Sequence, residues 1–283
     1  MRKAWILVPT LCLCFGGSPP AAAEAPPKVL QIIREEVKPG KGAAHEKIEA
    51  GWPAAFHKAN GAGYYIAMTA QSGPNEAWFV GAWDSLAAAE KETKAYDDNA
   101  TLTAELQRLS AVDGDLLSGI TTQWALYRED LSYQPDIDIA KMRYFSIQTV
   151  RLNPGHRREL VAANKLIIEM HQKAKMDEHW ATYEVVSGAA NGTFLIFFPM
   201  KSMVEIDAAD QMHGKAYQDI VGEEGRSRIS ELQDAAIRSQ DTALFAFSPK
   251  MSYVSKVFSD RDPEFWNPKP PAPAGAKKEE KKP

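Results

Sequence analysis

The feature that most constrains this chain is a faint internal repeat held at one spacing. The turn Val37-Lys38-Pro39-Gly40 recurs as Leu152-Asn153-Pro154-Gly155, and Ser72-Gly73 recurs as Ser187-Gly188. The strand end Phe79 to Trp83 recurs as Phe194 to Phe198, again 115 residues later (Trp83 against Phe198). A fixed offset over three landmarks means that this stretch of each half runs without net insertion. Two copies are too few for a solenoid, which needs several stacked units to bury its faces. They fit a duplicated unit that closes on itself as a pseudo-dimer.

Hydrophobic periodicity fills in the units. Val29–Val37 alternates as a strand, and Ala44, Ile48, Trp52, Ala55, Phe56 and Ala59 follow at helical spacing, with Pro53 expected to kink or restart that helix. Tyr64–Ala70 and Glu76–Trp83 form a hairpin across Ser72-Gly73-Pro74-Asn75. Asp84 and Ser85 are N-cap candidates for a helix beginning at Leu86, and Asn99 marks its break and recapping. Thr121–Glu129 closes the first unit. The second repeats the order: a strand over Arg143–Leu152, a helix from His156 to Lys175, a hairpin of His179–Val186 and Gly192–Phe198, a helical stretch over Ser202–Ala236 interrupted at Gly222–Gly225, and a strand over Thr242–Ser248. Leu131-Ser132-Tyr133 and Met251-Ser252-Tyr253 end the two units alike. The fold class is therefore α+β: two ferredoxin-like β-α-β-β-α-β repeats, over 28–133 and 141–253, packed sheet to sheet as an α/β barrel within one chain.

The ends read differently. Met1-Arg2-Lys3, an apolar run from Ala4 to Phe15 and Ala21-Ala22-Ala23 make residues 1–23 a signal peptide cleaved after Ala23. The expected location is periplasmic or secreted. Both cysteines, Cys12 and Cys14, fall in that segment and each follows a leucine, which is not a lipoprotein pattern. The mature chain then has no disulfide, thiolate metal site or cysteine nucleophile. The formal net charge of −4 offers no basic face to nucleic acid, and no later apolar run suits stable membrane insertion. Residues 254–283 are assigned to a C-terminal tail rich in proline and lysine, with Phe265-Trp266 either docked on the body or exposed.

The topology, the proline-glycine turn after the first strand and the segment Trp83-Asp84-Ser85-Leu86 resemble the dimeric α/β-barrel superfamily. Its members include antibiotic-biosynthesis-type monooxygenases, haem-degrading monooxygenases, chlorite dismutase and NIPSNAP-like proteins. The resemblance covers about Val29 to Tyr253. It implies a ligand held against the sheet and, in some members, oxygen chemistry. In haem-degrading members a tryptophan after the third strand, a histidine on the next helix and an asparagine on the first strand matter. Trp83 matches the first, but the following helix carries no histidine and the first strand offers Gln31 instead of asparagine. No cofactor is assigned on this basis, and haem belongs only to the enzyme alternative.

The candidate ligand-pocket residues are Tyr64, Met68, Trp83, Tyr144, Gln148, His179 and Tyr183. Alternation places His179, Ala181, Tyr183 and Val185 on one strand face, where a histidine and a tyrosine can line a pocket. Tyr64 and Met68 take the positions of His179 and Tyr183 in the first half, and Trp83 stands against Phe198. On the first strands Gln31, Ile33 and Glu35, and Tyr144, Ser146 and Gln148, form stripes that either line a wet pocket or face solvent. No metal site is assigned: His45 and Glu49 lie i,i+4, and Asp210 and His213 lie i,i+3, and neither pair has a third ligand at local spacing. No catalytic residue is assigned.

The main expectation is an exported protein that binds a small aromatic or apolar molecule, as a monomer or homodimer. The alternative is a monooxygenase-like enzyme, cofactor-free or haem-dependent. A third reading is an interaction protein that uses its helical faces and tail.

Overall fold

The computed structural model describes residues 25–61 and 63–267. The expected signal peptide, the tail beyond Asn267 and the side chain of Asp210 lie outside the described residues. The first half runs β1 (Val29–Val37), α1 (Gly42–Glu49), α2 (Gly51–Ala59), β2 (Tyr65–Ala70), β3 (Glu76–Trp83), α3 (Leu86–Asp97), α4 (Ala100–Asp113) and β4 (Leu117–Tyr127). The second runs β5 (Tyr144–Leu152), α5 (Arg157–Ala174), β6 (Ala181–Ser187), β7 (Thr193–Met200), α6 (Val204–Met212), α7 (Lys215–Ala236) and β8 (Ile237–Phe247). Two short helices follow, α8 (Lys256–Ser259) and α9 (Pro263–Trp266).

All strand pairs are antiparallel, and the eight strands close in the order β1-β3-β2-β8-β5-β7-β6-β4. Two seams join the halves. Met68 to Ala70 of β2 pair with Phe247 to Phe245 of β8, and Trp124 to Tyr127 of β4 pair with Ser187 to Tyr183 of β6. The expected sheet-on-sheet packing is thus completed by hydrogen-bonded edges, and closure leaves no edge strand open. The lumen is filled by Leu30, Ile32, Met68, Trp78, Ile147, Phe197 and Phe245, from both halves. Outside the wall, α5 covers Val150, Phe194 and Ile196, while α2 and α4 pack through Phe56, Leu102 and Leu109.

The repeated three-residue endings have a job that periodicity did not reveal: each staples the opposite half. Ser132 Oγ accepts from Thr182 N at 2.9 Å and donates to the Arg128 carbonyl. Ser252 Oγ accepts from Ala67 N at 2.9 Å and donates to the Ser248 carbonyl. Tyr133 bridges Trp180, and Tyr253 bridges Tyr65. The repeated hairpin turns also have a steric basis. Gly73 and Gly188 adopt φ of +80° and +86°, and a Cβ at Gly188 would lie 2.0 Å from the Thr122 carbonyl oxygen.

Local expectations met the structure unevenly. Ser85 caps α3 and Asn99 caps α4 through side-chain acceptors, and Gly222 interrupts α7 at φ 70°, ψ 168°. The first helix breaks at Ala50 instead of Pro53, because Pro53 fits the first turn of α2, where its missing N–H has no partner to lose. β4 and β8 begin earlier than expected, at Leu117 and Ile237. Their exposed ends still pair with β1 and β5 through backbone groups, which need no apolar side chains.

The segment after Tyr253 is packed, not loose, as far as it is described. Trp266 is buried in the lumen cluster and donates its Nε1–H to the Ala140 carbonyl at 2.7 Å. Arg143 pairs with Asp262 and lies 4.0 Å over the Phe265 ring.

Candidate functional site

A cavity of about 400 Å³ opens at one end of the barrel. Its walls come from both halves: Leu30, Ile66, Met68 and Val80 on one side, Phe145, Ala181, Tyr183 and Phe197 on the other. The inward alternation of β1, β2, β3, β5, β6 and β7 places these side chains. Ile137 and Ile139 from the connector and Val254 and Phe258 from the C-terminal segment complete it, so chain between and after the sheets forms its mouth. Polar groups are few. Tyr183 donates its hydroxyl to the Pro27 carbonyl at 3.0 Å, and burial raises its pKa, which keeps it a neutral donor. Arg261, paired with Asp138 at 3.3 Å, and Asp84 stand in the lining. An apolar cleft with a few convergent polar groups is the usual shape of a small-molecule site. Away from this cavity Arg34 donates from Nη2 to both Glu76 carboxylate oxygens, at 2.9 and 3.0 Å, and lies 4.6 Å over the Trp78 ring.

Of the seven residues singled out in sequence, the structure brings three to this cavity: Tyr64, Met68 and Tyr183. Tyr64 stands at the rim, 45% exposed, against Tyr253. Met68 is fully buried. Trp83 lies elsewhere, paired with Trp124 at 5.8 Å, on the face opposite the inward-pointing Val80. Tyr144 and Gln148 share the helix-facing side of β5 with Val150, so the polar stripe neither lines the cavity nor faces open solvent; Phe145, one residue on, points inward. His179 precedes β6, so strand alternation does not reach it. Its ring contacts the Gln134 carbonyl at 2.8 Å and Asp177 at 3.2 Å on the rim. Phe145, Phe197 and Ile137 went unnoticed in sequence; the apolar alternation of β5 and β7, read on its other phase, carried the signal for the first two.

Two histidine–carboxylate clusters lie outside the lumen, the first buried and the second only partly so. The first joins Glu35 of β1, His45 and Glu49 of α1, and Asp113 at the end of α4, all buried. His45 Nε2 is 2.8 Å from Glu35 and 3.8 Å from Asp113. Burial, then the nearby Glu35 and Asp113, push Glu49 up to about 9, and burial raises Asp113 to about 6 against the opposing pull of His45. The sequence pair His45/Glu49 thus gains further partners from 10 residues upstream and from the end of a distant helix. The second cluster joins His171 of α5, Glu178 and His213. His171 places Nδ1 at 2.8 Å from the Ile167 carbonyl and Nε2 at 2.7 Å from Glu178. Burial opposes ionisation of Glu178, but the His171 hydrogen bond and the His213 and His171 charges outweigh it and hold its pKa below the usual value.

Among the described residues no histidine lines the cavity, and both ring nitrogens of His171 and of His179 are engaged elsewhere, so the cavity offers haem no axial histidine.

No protein-family model matches the sequence, and no curated protein matches it. Solved structures do match in shape. An anthrone oxidase-like protein is 12% identical, with TM-score 0.55 over 83% of this chain and 97% of that one. A proposed monooxygenase from Fusobacterium nucleatum subsp. nucleatum is 13% identical, with TM-score 0.51 over 79% and 94%. A mutant chlorite dismutase from Candidatus Nitrospira defluvii is 9% identical, with TM-score 0.48 over 80% and 94%, too slight a likeness to argue from. The first two likenesses show the fold alone: an α+β chain with a closed eight-stranded antiparallel barrel, shared with those two structures. None of them bears on the NIPSNAP-like part of the resemblance.

Proposed function

We propose that this chain is an exported α/β-barrel protein, built from two ferredoxin-like repeats, whose barrel-end cavity binds a small, flat, apolar molecule. The observation that carries the reading is the cavity itself: about 400 Å³, walled by aliphatic and aromatic side chains from both halves. Its size suits a two- or three-ring compound. The same strand order in each half, β4-β1-β3-β2 and β8-β5-β7-β6, supports the duplication. Because both seams close inside one chain, the barrel itself requires no second copy. Among the described residues no helix is long and apolar enough to cross a membrane.

The test is native mass spectrometry and fluorescence titration of the purified chain with a panel of naphthols and anthracene-type phenols. One ligand per chain is expected, with binding lost in Ala181→Phe, which fills the cavity from its wall, while the melting temperature holds. Absence of any binder, or equal affinity in the variant, would overturn the reading. A second reading has a specific support: the two better-matching barrels are named for oxidation chemistry. On that reading the bound phenol is oxidised by dioxygen, and an oxygen electrode decides. Oxygen uptake that depends on ligand and disappears in Ala181→Phe favours the enzyme, and binding without uptake favours the carrier.

A further inference from the structure

We propose that Glu35, His45, Glu49 and Asp113 form a binding site for one divalent first-row transition-metal ion, separate from the barrel-end cavity. Three elements meet here. The Glu35 side chain leaves β1 on its helix-facing side, His45 and Glu49 stand one turn apart on α1, and Asp113 ends α4. One ligand atom from each lies within 4.8 Å of all the others, close enough to surround a single ion. All four residues are buried, at 8, 2, 3 and 3% exposure respectively.

What points to a cation is unfinished chemistry. Glu49 Oε1 and Asp113 Oδ1 are buried and have no hydrogen-bond partner. Among the described residues no lysine or arginine pairs with any of the three carboxylates, and His45 is the sole basic side chain that reaches them. Unpaired buried carboxylate oxygens are costly, and natural folds rarely retain them without a counter-charge. A dication would neutralise most of three carboxylates and accept the imidazole nitrogen. Trp52, whose Nε1 lies against Glu49 and favours its charged form, and Tyr65 Oη, buried without a partner, could donate to carboxylate oxygens turned away from the ion.

The donor set defines the class. One imidazole with three carboxylates is too nitrogen-bearing and too small for calcium, which takes six to eight oxygens, and lacks the thiolates of soft-metal sites. It suits Mn²⁺, Fe²⁺ or Zn²⁺. Four protein ligands and no exposed coordination face describe a structural ion that ties α1 and α4 to the barrel wall. A cleft of about 370 Å³, lined by His45, Thr69, Asn75 and Lys250 among others, leads to the histidine from outside and gives an entry path.

The experiment uses the full chain after treatment with a chelator. Calorimetric titration with Zn²⁺ and with Mn²⁺ is expected to give one ion per chain, and Co²⁺ a visible d–d band. Saturation should raise the melting temperature. Glu49→Gln and Asp113→Asn, near-isosteric and neutral, should each weaken binding at least about tenfold. His213→Ala, in the other cluster, should leave it unchanged. Circular dichroism checks that each variant folds. Binding absent at stoichiometric concentration, undiminished in Glu49→Gln, or lost in His213→Ala would overturn the proposal.

Discussion

The two histidine–carboxylate clusters, one buried and one partly exposed, make the sharpest contrast between the halves. In the first, one imidazole faces three carboxylates, and two carboxylate oxygens have no partner. In the second, two imidazoles share one carboxylate, and His171 has both nitrogens engaged while Tyr133, Trp180 and Tyr217 pack their rings around it. The second cluster is a network in which both nitrogens of His171 are satisfied, by the Ile167 carbonyl and by Glu178. The first is balanced only by a proton or a cation from outside. Residue types alone would have ranked them together; charge count and partner count separate them.

The largest expected effect breaks the second cluster. His171→Ala removes the main partner of Glu178, whose side chain is 18% exposed and keeps only His213 at 3.4 Å in that network. A loss of about 2 kcal/mol in urea-unfolding stability is expected, as for a partly buried carboxylate deprived of its main hydrogen-bond partner. A loss below about 1 kcal/mol would show that the network is not a stabilising unit.

The second prediction sharpens the contrast through pH, where the clusters should slope oppositely. Glu178 has a folded pKa below its ordinary 4.5, so its contribution is present above that value and fades as pH falls through the lower folded one. Glu49 has a folded pKa raised to about 9, so in the metal-free protein its contribution is full below 4.5 and is lost as pH climbs toward 9. The groups facing Glu49 are Glu35, His45, Asp113, Trp52 and Tyr65. Urea midpoints measured from pH 5 to 9 on chelator-treated protein should therefore fall less steeply in Glu49→Gln than in the parent. Equal slopes would mean that Glu49 does not carry the alkaline loss.

The smallest effect tests where the halves are alike. Ser132→Ala and Ser252→Ala each leave one buried backbone N–H, of Thr182 and of Ala67, without its acceptor. Each should cost about 1–2 kcal/mol, and by similar amounts. A large inequality, read from chemical denaturation, would show that one staple matters more to barrel closure than the other.

Much of the fold was legible because it rests on local signals. β1, with its alternating pattern, and β3 fall where periodicity placed them, and the caps at Ser85 and Asn99 act through near-neighbour N–H groups. The site was less legible. Tyr64, Met68 and Tyr183 reach the cavity, but Tyr144, Gln148 and His179 do not. On β5 both faces carry mixed residues, so alternation could not say which face the closed barrel would turn inward. His179 was misplaced because the crosswise bridge of Tyr133 with Trp180 ends the strand alternation before it. Asp113 had no local signal at all: only the approach of α4 to α1 makes it a neighbour of His45.

The sequence by itself determined the order of elements and the turns, since each depends on spacing and backbone preference within a few residues. Tertiary structure alone decided that the endings staple opposite halves, that the cavity opens at the barrel end, and that Glu35, His45, Glu49 and Asp113 converge. Those arrangements join residues far apart in the chain, as Ala67 and Ser252 are at 185 positions. Contacts of that range are set by barrel closure and helix packing, which no local pattern encodes.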